Sequence, residues 1–195
     1  MSSERVGIFG GAFNPPHLGH VALARRAVEV FALARLLVRV VEDPGHKHVE
    51  TPADVRVGLA RIAFAGVEEA VVGLDRFART VDSLAELGLD DPLFLVGADE
   101  FASFLAWKEP ARILELASLG VATRPGYPQE VLDAVLGELD APERVVFFEI
   151  EPLPISSSEI RRRVGAGEPI SGLVDAEVEQ EIHARGLYRE PLRLH

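Results

Sequence analysis

Short runs of β-branched and aromatic residues alternate with longer stretches of helical periodicity from one end of the chain to the other, and that rhythm leaves few folds open. Apolar runs at residues 6–9, 36–41, 70–73, 93–96, 120–123 and 145–150 predict six strands. Helices are predicted over about 18–33, from the Thr51–Pro52 pair to about 65, and over 80–87, 110–116 and 129–139. Two more are expected near the C-terminus, the last over about 175–185. Strands separated by crossover helices pair in parallel, and a parallel sheet needs cover on both faces. The expected class is therefore α/β: a Rossmann-like doubly wound parallel sheet with helices on both faces.

Local signals support the helix limits. Thr51 can cap, Pro52 suits a first helical position and Asp54 completes a box-like pattern, while Asp175 and Gly186 suit the start and the stop of the last helix. With 195 residues, 48% of them hydrophobic, the chain can bury one large core, and no period repeats along it. One domain over residues 1–195 is expected, with a C-terminal helical segment at 156–188.

Charge and composition narrow the function. Twenty basic against thirty-one acidic residues give a net charge of -11, which argues against a protein that holds nucleic acid by neutralising phosphates. A local cationic pocket for a small anion is compatible with it. The chain has no cysteine, so disulfide scaffolds, thiolate nucleophiles and thiolate zinc sites are excluded. Residues Met1 to Arg5 lack a secretory pattern and no apolar run approaches the ~20 residues of a membrane span, so a cytoplasmic location without membrane partners is expected.

The first strand runs into Gly10, Gly11, Ala12, Phe13, Asn14, Pro15, Pro16, His17, Leu18, Gly19 and His20 before helical periodicity begins. Glycines let backbone approach a phosphate, and a helix start offers free N–H groups to it. The spacing matches neither G-x-G-x-x-G nor a Walker loop, so another phosphate-handling design is needed. His17 and His20 lie three apart and project from one side of a helical turn, with Gly19 keeping the space between them open. Two imidazoles then converge on one anion. The alternatives are a pair of surface or capping histidines and a metal pair; the latter lacks a carboxylate in the same turn.

This segment resembles the H-x-G-H motif of the nucleotidyltransferase superfamily, most closely as it occurs in bacterial nicotinate-mononucleotide adenylyltransferases. The resemblance implies that a substrate phosphate attacks the α-phosphorus of ATP and pyrophosphate leaves. It makes His17 and His20 catalytic candidates, Gly10, Gly11, Ala12, Phe13 and Gly19 candidates for the ATP phosphates, and Asn14 a candidate for the acceptor. Ala12 stands where the family commonly has threonine or serine.

Near the other end, Ile155, Ser156, Ser157, Ser158, Glu159, Ile160 and Arg161 to Arg163 set three hydroxyls at a helix start with arginines a turn later. Hydroxyls, free N–H groups and guanidinium donors suit a polyphosphate; a serine cap ahead of a solvated basic face is the plainer reading. The segment resembles the I-S-S-T/S-x-I-R motif of the same superfamily, which implies that Ser157, Ser158 and Arg161 hold the β- and γ-phosphates. Class I aminoacyl-tRNA synthetases share H-x-G-H, but this chain lacks room for tRNA-binding domains, carries the wrong charge and has ISSSEIR in place of their lysine-rich loop.

Between the motifs, Lys47 stands in His46-Lys47-His48 after the second strand and is one of two lysines in the chain, with Lys108. It resembles the lysine of the family's P-x-x-x-x-H-K element, which implies phosphate contact and makes it both a catalytic and an acceptor candidate; a polar loop or a His46/His48 metal site are the alternatives. Gly97 and Asp99 resemble the family's G-x-D element near adenosine, and Arg124 its R-P-G-Y turn. Trp107, the only tryptophan, aligns with the family's W-x-x-x-x-x-I-L element and could stack on a pyridine ring or simply lie in the core. Gly186, Leu187 and Tyr188 match its usual ending. The family's S-Y-T before the third helix is replaced by Ala78, Arg79 and Thr80, which makes Arg79 and Thr80 acceptor-side candidates and Arg79 a reader of a ring carboxylate.

The expected activity is adenylyl transfer from ATP to nicotinate mononucleotide, with Mg²⁺ carried on the ATP phosphates, no metal held by the protein itself, and no nucleic-acid partner. A homo-oligomer is compatible with the sequence. Transfer to another phosphomonoester such as phosphopantetheine, or a nucleotide-binding homologue without turnover, are the alternatives.

Overall fold

The computed structural model describes residues 5–45 and 49–189. Six strands form one all-parallel sheet: β1 (Val6–Gly11), β2 (Arg35–Val41), β3 (Ala70–Asp75), β4 (Leu93–Gly97), β5 (Ser118–Thr123) and β6 (Val145–Glu149). Their spatial order is β3-β2-β1-β4-β5-β6, so the chain reverses direction between β1 and β4. In such a sheet ligands bind outside the carboxyl ends of the strands, at that reversal.

Alternation along each strand divides the core in two. Phe9, Leu36, Val38, Val40, Leu93 and Leu95 face one side, where α1 (Leu18–Phe31), α2 (Ala53–Ala63), α7 (Ser157–Gly165) and α8 (Ala176–Ala184) supply Ala24, Ala60, Ile160 and Ile182. Ile8, Phe94, Val96, Leu119 and Val121 face the other, covered by α3 (Thr80–Leu87), α4 (Ala98–Phe101), α5 (Pro110–Leu116) and α6 (Gln129–Gly137). The doubly wound α/β class is thus the observed one.

The helices over 80–87 and 110–116 have the expected limits. Asp175 caps α8 as expected, its carboxylate accepting from Glu177 N at 2.9 Å, and Gly186 takes φ +63° beyond its end. The start of α2 differs. Pro52 itself occupies the capping position without a side-chain bond, and Thr51 is buried one residue earlier. β1 runs on through Gly11, β3 through Asp75, and the short helix at 98–101 was not anticipated because four residues carry too little periodicity. No helix among the described residues is long and apolar enough to cross a membrane.

Candidate active site

β1 ends at Gly11 and α1 begins at Leu18, so the intervening loop lies at the sheet's reversal point. It is anchored from the inside by Phe13. That residue takes φ +46°, unfavourable for a bulky side chain, and its buried ring is held by Phe9, Phe64 and His20 at centroid distances of 5.4, 5.7 and 5.1 Å.

His17 occupies the capping position of α1, and His20, three residues on, accepts a hydrogen bond at Nδ1 from the His17 backbone N–H at 3.2 Å. That bond leaves the His20 proton on Nε2. The rings stack with centroids 3.6 Å apart, and His17 Nδ1 is buried without a hydrogen-bond partner. Capping and anion binding are therefore not rival readings here: the cap fixes the tautomer that presents a donor. A Cβ on Gly19 would press on the His17 ring at 3.1 Å, which is the physical reason for glycine between the two histidines. Loss of water lowers His17 to about 4; the same cause, followed by the neighbouring His17, lowers His20 well below the ordinary histidine value. Both imidazoles are neutral at pH 7, and His20 presents its Nε2–H as a donor.

The serine motif closes on this loop from α7. Ser156 caps the helix, accepting from Glu159 N at 3.2 Å, while Ser157 Oγ donates to Pro15 O at 2.8 Å. Arg161 donates through Nη1 to Asn14 O at 2.7 Å and through Nη2 to Ser158 Oγ at 3.2 Å. Ser157 thus spends its proton on the loop, and an incoming phosphate meets that oxygen only as an acceptor. The basic run is also less available than its sequence suggests, because Arg162 and Arg163 each reach Glu159 at 2.8 Å and Arg162 also binds Glu168 at 2.7 Å. Arg161 is the arginine of the three that turns to the loop. Ile155 is half-buried against the core just before the helix.

Two supporting residues were missed as such. Arg56, on α2 and only 1% exposed, donates to four carbonyls: Ala12 O at 2.8 Å, Val41 O at 2.7 Å, Glu42 O at 2.7 Å and Thr51 O at 3.0 Å. Its place in the apolar stripe with Val57, Leu59 and Ala60 was the available signal. Tyr188, matched only as part of an ending, donates its hydroxyl to Asn14 Oδ1 at 2.8 Å.

The remaining candidates form two flanking groups. At the ends of β4 and β5, Asp99 and Arg124 pair at 3.7 Å, the Arg124 guanidinium lies 5.6 Å from the Tyr127 ring centroid, and Tyr127 donates to Ala98 O. On the α3 side, Trp107 is half-buried against Phe94 and Phe104, at 6.3 and 5.5 Å, so its core reading holds in part and the rest of the indole stays accessible. Arg79 is exposed at the capping position of α3, and Thr80 opens that helix. Lys47, with His46 and His48, lies outside the described residues.

The cytidylyltransferase-like family model matches residues 8–163. A Thermus thermophilus protein named "Probable nicotinate-nucleotide adenylyltransferase" is 39% identical over 194 residues, covering 95% of this chain and all of its own length. A Rubrobacter xylanophilus protein of the same name is 34% identical and covers 97% of this chain and 94% of its own. Among solved structures, the Plasmodium falciparum nicotinic acid mononucleotide adenylyltransferase complexed with NaAD superposes with a TM-score of 0.78 at 18% identity, over 95% of this chain and 97% of that one, and shares the fold. Near-complete coverage at these identities, with the two motifs closed on one loop, sets the family: this chain belongs to the cytidylyltransferase-like family and, within it, to the nicotinate-nucleotide adenylyltransferases.

Proposed function

We propose that the chain transfers the adenylyl group of ATP to nicotinate mononucleotide, giving the deamido dinucleotide and pyrophosphate. The observation that carries this reading is the stacked, neutral His17–His20 pair at the start of α1, with Arg161 bound to the same loop. An oxygen of the mononucleotide phosphate attacks the α-phosphorus, the bond from that phosphorus to the bridging oxygen breaks, and the electron pair leaves with pyrophosphate. The attacking phosphate is already ionised, so no general base is required. Acceleration comes from alignment and from donors aimed at oxygens that grow more negative.

In this reading His20 Nε2–H and the His17 ring donate to the α-phosphate, which draws both imidazoles toward their charged forms. Ser158 and Arg161 hold the β- and γ-phosphates, with Arg161 also contributing to catalysis, while Ser156 and Ser157 shape the helix start. Gly10 to Phe13 and Gly19 give the close backbone approach, Gly97 and Asp99 take the adenosine side, Arg124 lies by the ATP phosphates, and Asn14, Lys47, Thr80 and Trp107 serve the acceptor. Mg²⁺ would enter with ATP, held by its phosphates and water, and would supply charge neutralisation there. The described residues include no group of three or more His, Asp or Glu side chains placed to hold a metal ion. The chain works in this reading as one domain over 1–195 with the helical segment 156–188, in the cytoplasm, on small molecules.

Pyrophosphate release from ATP, measured with nicotinate mononucleotide, nicotinamide mononucleotide and phosphopantetheine in turn, tests the proposal. Release with nicotinate mononucleotide above the others is expected; release with phosphopantetheine alone, or with none, refutes it.

A further inference from the structure

The opposite face of the sheet holds a polar side chain that the mechanism above does not use. Arg39 stands on β2, beside Gly10 of β1 and Gly73 of β3 in register, so the positions flanking it on both sides lack side chains. Alternation puts Arg39 on the α3 side, with Leu37, Ile8 and Phe94. Its Nε is buried without a partner, and Nη2 lies 3.8 Å from Asp75 Oδ1, beyond hydrogen-bond reach. Asp75 is itself occupied, accepting from Ser83 Oγ at 2.6 Å and from Phe77 N at 3.0 Å. A guanidinium is thus held in place by a carboxylate that leaves its donors largely unspent.

The space in front of it has a definite shape. A Cβ on Gly10 would meet, within 4 Å, only the Phe94 ring at 3.6 Å, and Trp107 meets that ring edge-on, 6.3 Å away at 86°. Phe94 and Arg39 belong to the strands on either side of β1, roughly 10 Å apart at two inter-strand spacings. The Phe94 ring lies over Gly10, while Arg39 Nη1 lies 3.4 Å from where a Cβ on Gly73 would stand, so a floor of two glycines runs from the aromatic ring to the guanidinium beside Asp75. A flat ring lying along that floor would direct a negative substituent at the guanidinium, and a neutral amide there would forgo the charge-assisted bonds.

We infer that Arg39 is the specificity-determining residue that reads the ring carboxylate of the acceptor, in a slot floored by Gly10 and walled by Phe94. This rests on the functional reading above and assigns to Arg39 the role the sequence suggested for Arg79, whose side chain is exposed at the α3 start. A purely structural Arg39–Asp75 pair would weaken all substrates alike. A carboxylate reader weakens one.

The test compares wild type with Arg39→Met, which keeps the length of the side chain and removes its charge and donors. Specificity is read as kcat/KM for nicotinate against nicotinamide mononucleotide at saturating ATP. Trp107, as the sole tryptophan, gives a second reading without turnover through fluorescence quenching by each mononucleotide alone. Arg39→Met is expected to lower kcat/KM for the nicotinate form roughly 10- to 100-fold, the scale of a charged hydrogen-bond pair, with the nicotinamide form and the KM for ATP within about 3-fold. Should that variant not fold, Arg39→Lys keeps the charge beside Asp75 and loses the two-donor fork, and is expected to show a smaller drop in the same ratio. An unchanged ratio in an active enzyme, or a ratio that moves in Arg79→Ala and stays fixed in the Arg39 variants, overturns the assignment alone. A wild type that joins ATP to neither mononucleotide overturns the functional reading and this assignment with it.

Discussion

Replacing Arg56 by leucine removes the donors from four carbonyls in three segments of the chain: Ala12 in the loop after β1, Val41 and Glu42 at the end of β2, and Thr51 before α2. Glu42 is exposed, so its carbonyl recovers a bond to water, whereas Thr51 is buried and Ala12 and Val41 are half-buried. Two to three stranded acceptors at about 1–3 kcal/mol each give a gross penalty of about 2–9 kcal/mol. Solvation no longer lost by the guanidinium and apolar contact made by leucine offset part of it, and we expect a net loss of about 3–4 kcal/mol. That is a large share of the ~5–15 kcal/mol typical of a domain. Arg56→Lys, with one compact ammonium in place of a planar fork, keeps one or two of the bonds and is expected to lose about 2 kcal/mol. Urea unfolding at pH 7.5, followed by far-UV circular dichroism, measures both. If Arg56→Leu unfolds within 1 kcal/mol of wild type, the four-way clamp is not what secures these loops.

Acid should destabilise the fold through His17. Its folded value of about 4 lies below the ordinary 6.5, so the unfolded chain binds the proton first and stability falls as pH drops from about 6.5 toward 4. Between pH 7 and pH 5 this amounts to about 2 kcal/mol; in His17→Asn, which keeps a good helix cap, the dependence should be flatter by that amount, and an equal slope in both proteins would falsify the buried neutral imidazole. His20→Ala is expected to lower kcat by roughly 10²- to 10³-fold, the usual cost of one donor to a developing negative oxygen, with far-UV circular dichroism unchanged; turnover at the wild-type rate removes His20 from the chemistry. Arg161→Ala should raise the KM for ATP, and for pyrophosphate in the reverse reaction, at least 10-fold while leaving that of the acceptor within a few-fold; a change confined to the acceptor reverses the assignment.

The six strands and both faces of the sheet follow from patterns that are local in sequence, such as the alternating burial of β2 from Arg35 to Val41, whereas the strand order does not. The two motifs were legible for the same reason, since H-x-G-H and the serine cap are each contained within one turn. Contacts between distant segments were not legible. Nothing in the sequence near Ser157 shows that its hydroxyl reaches Pro15 O, 142 positions away, and nothing near Tyr188 shows that it reaches Asn14. Arg39 read as an ordinary polar interruption of a strand, because its flanking glycines lie on two other strands and only register brings the three together.

The loop that begins after β1 is fastened by residues made much later. Leu18 N donates to Leu173 O at 3.0 Å, Ser157 and Arg161 hold Pro15 and Asn14, and Tyr188 reaches Asn14 across 174 positions of sequence. A ribosome releases these partners in order, so a nascent chain that has completed all six strands has the loop held by Arg56 at Ala12 but still lacks its fastenings at Asn14, Pro15 and Leu18. In this chain the sheet can assemble ahead of the candidate site, whose last fastenings arrive with the final helices. Premature termination between β6 and α7 would leave a chain that retains every strand, keeps both histidines and has lost the late contacts to the loop beside them.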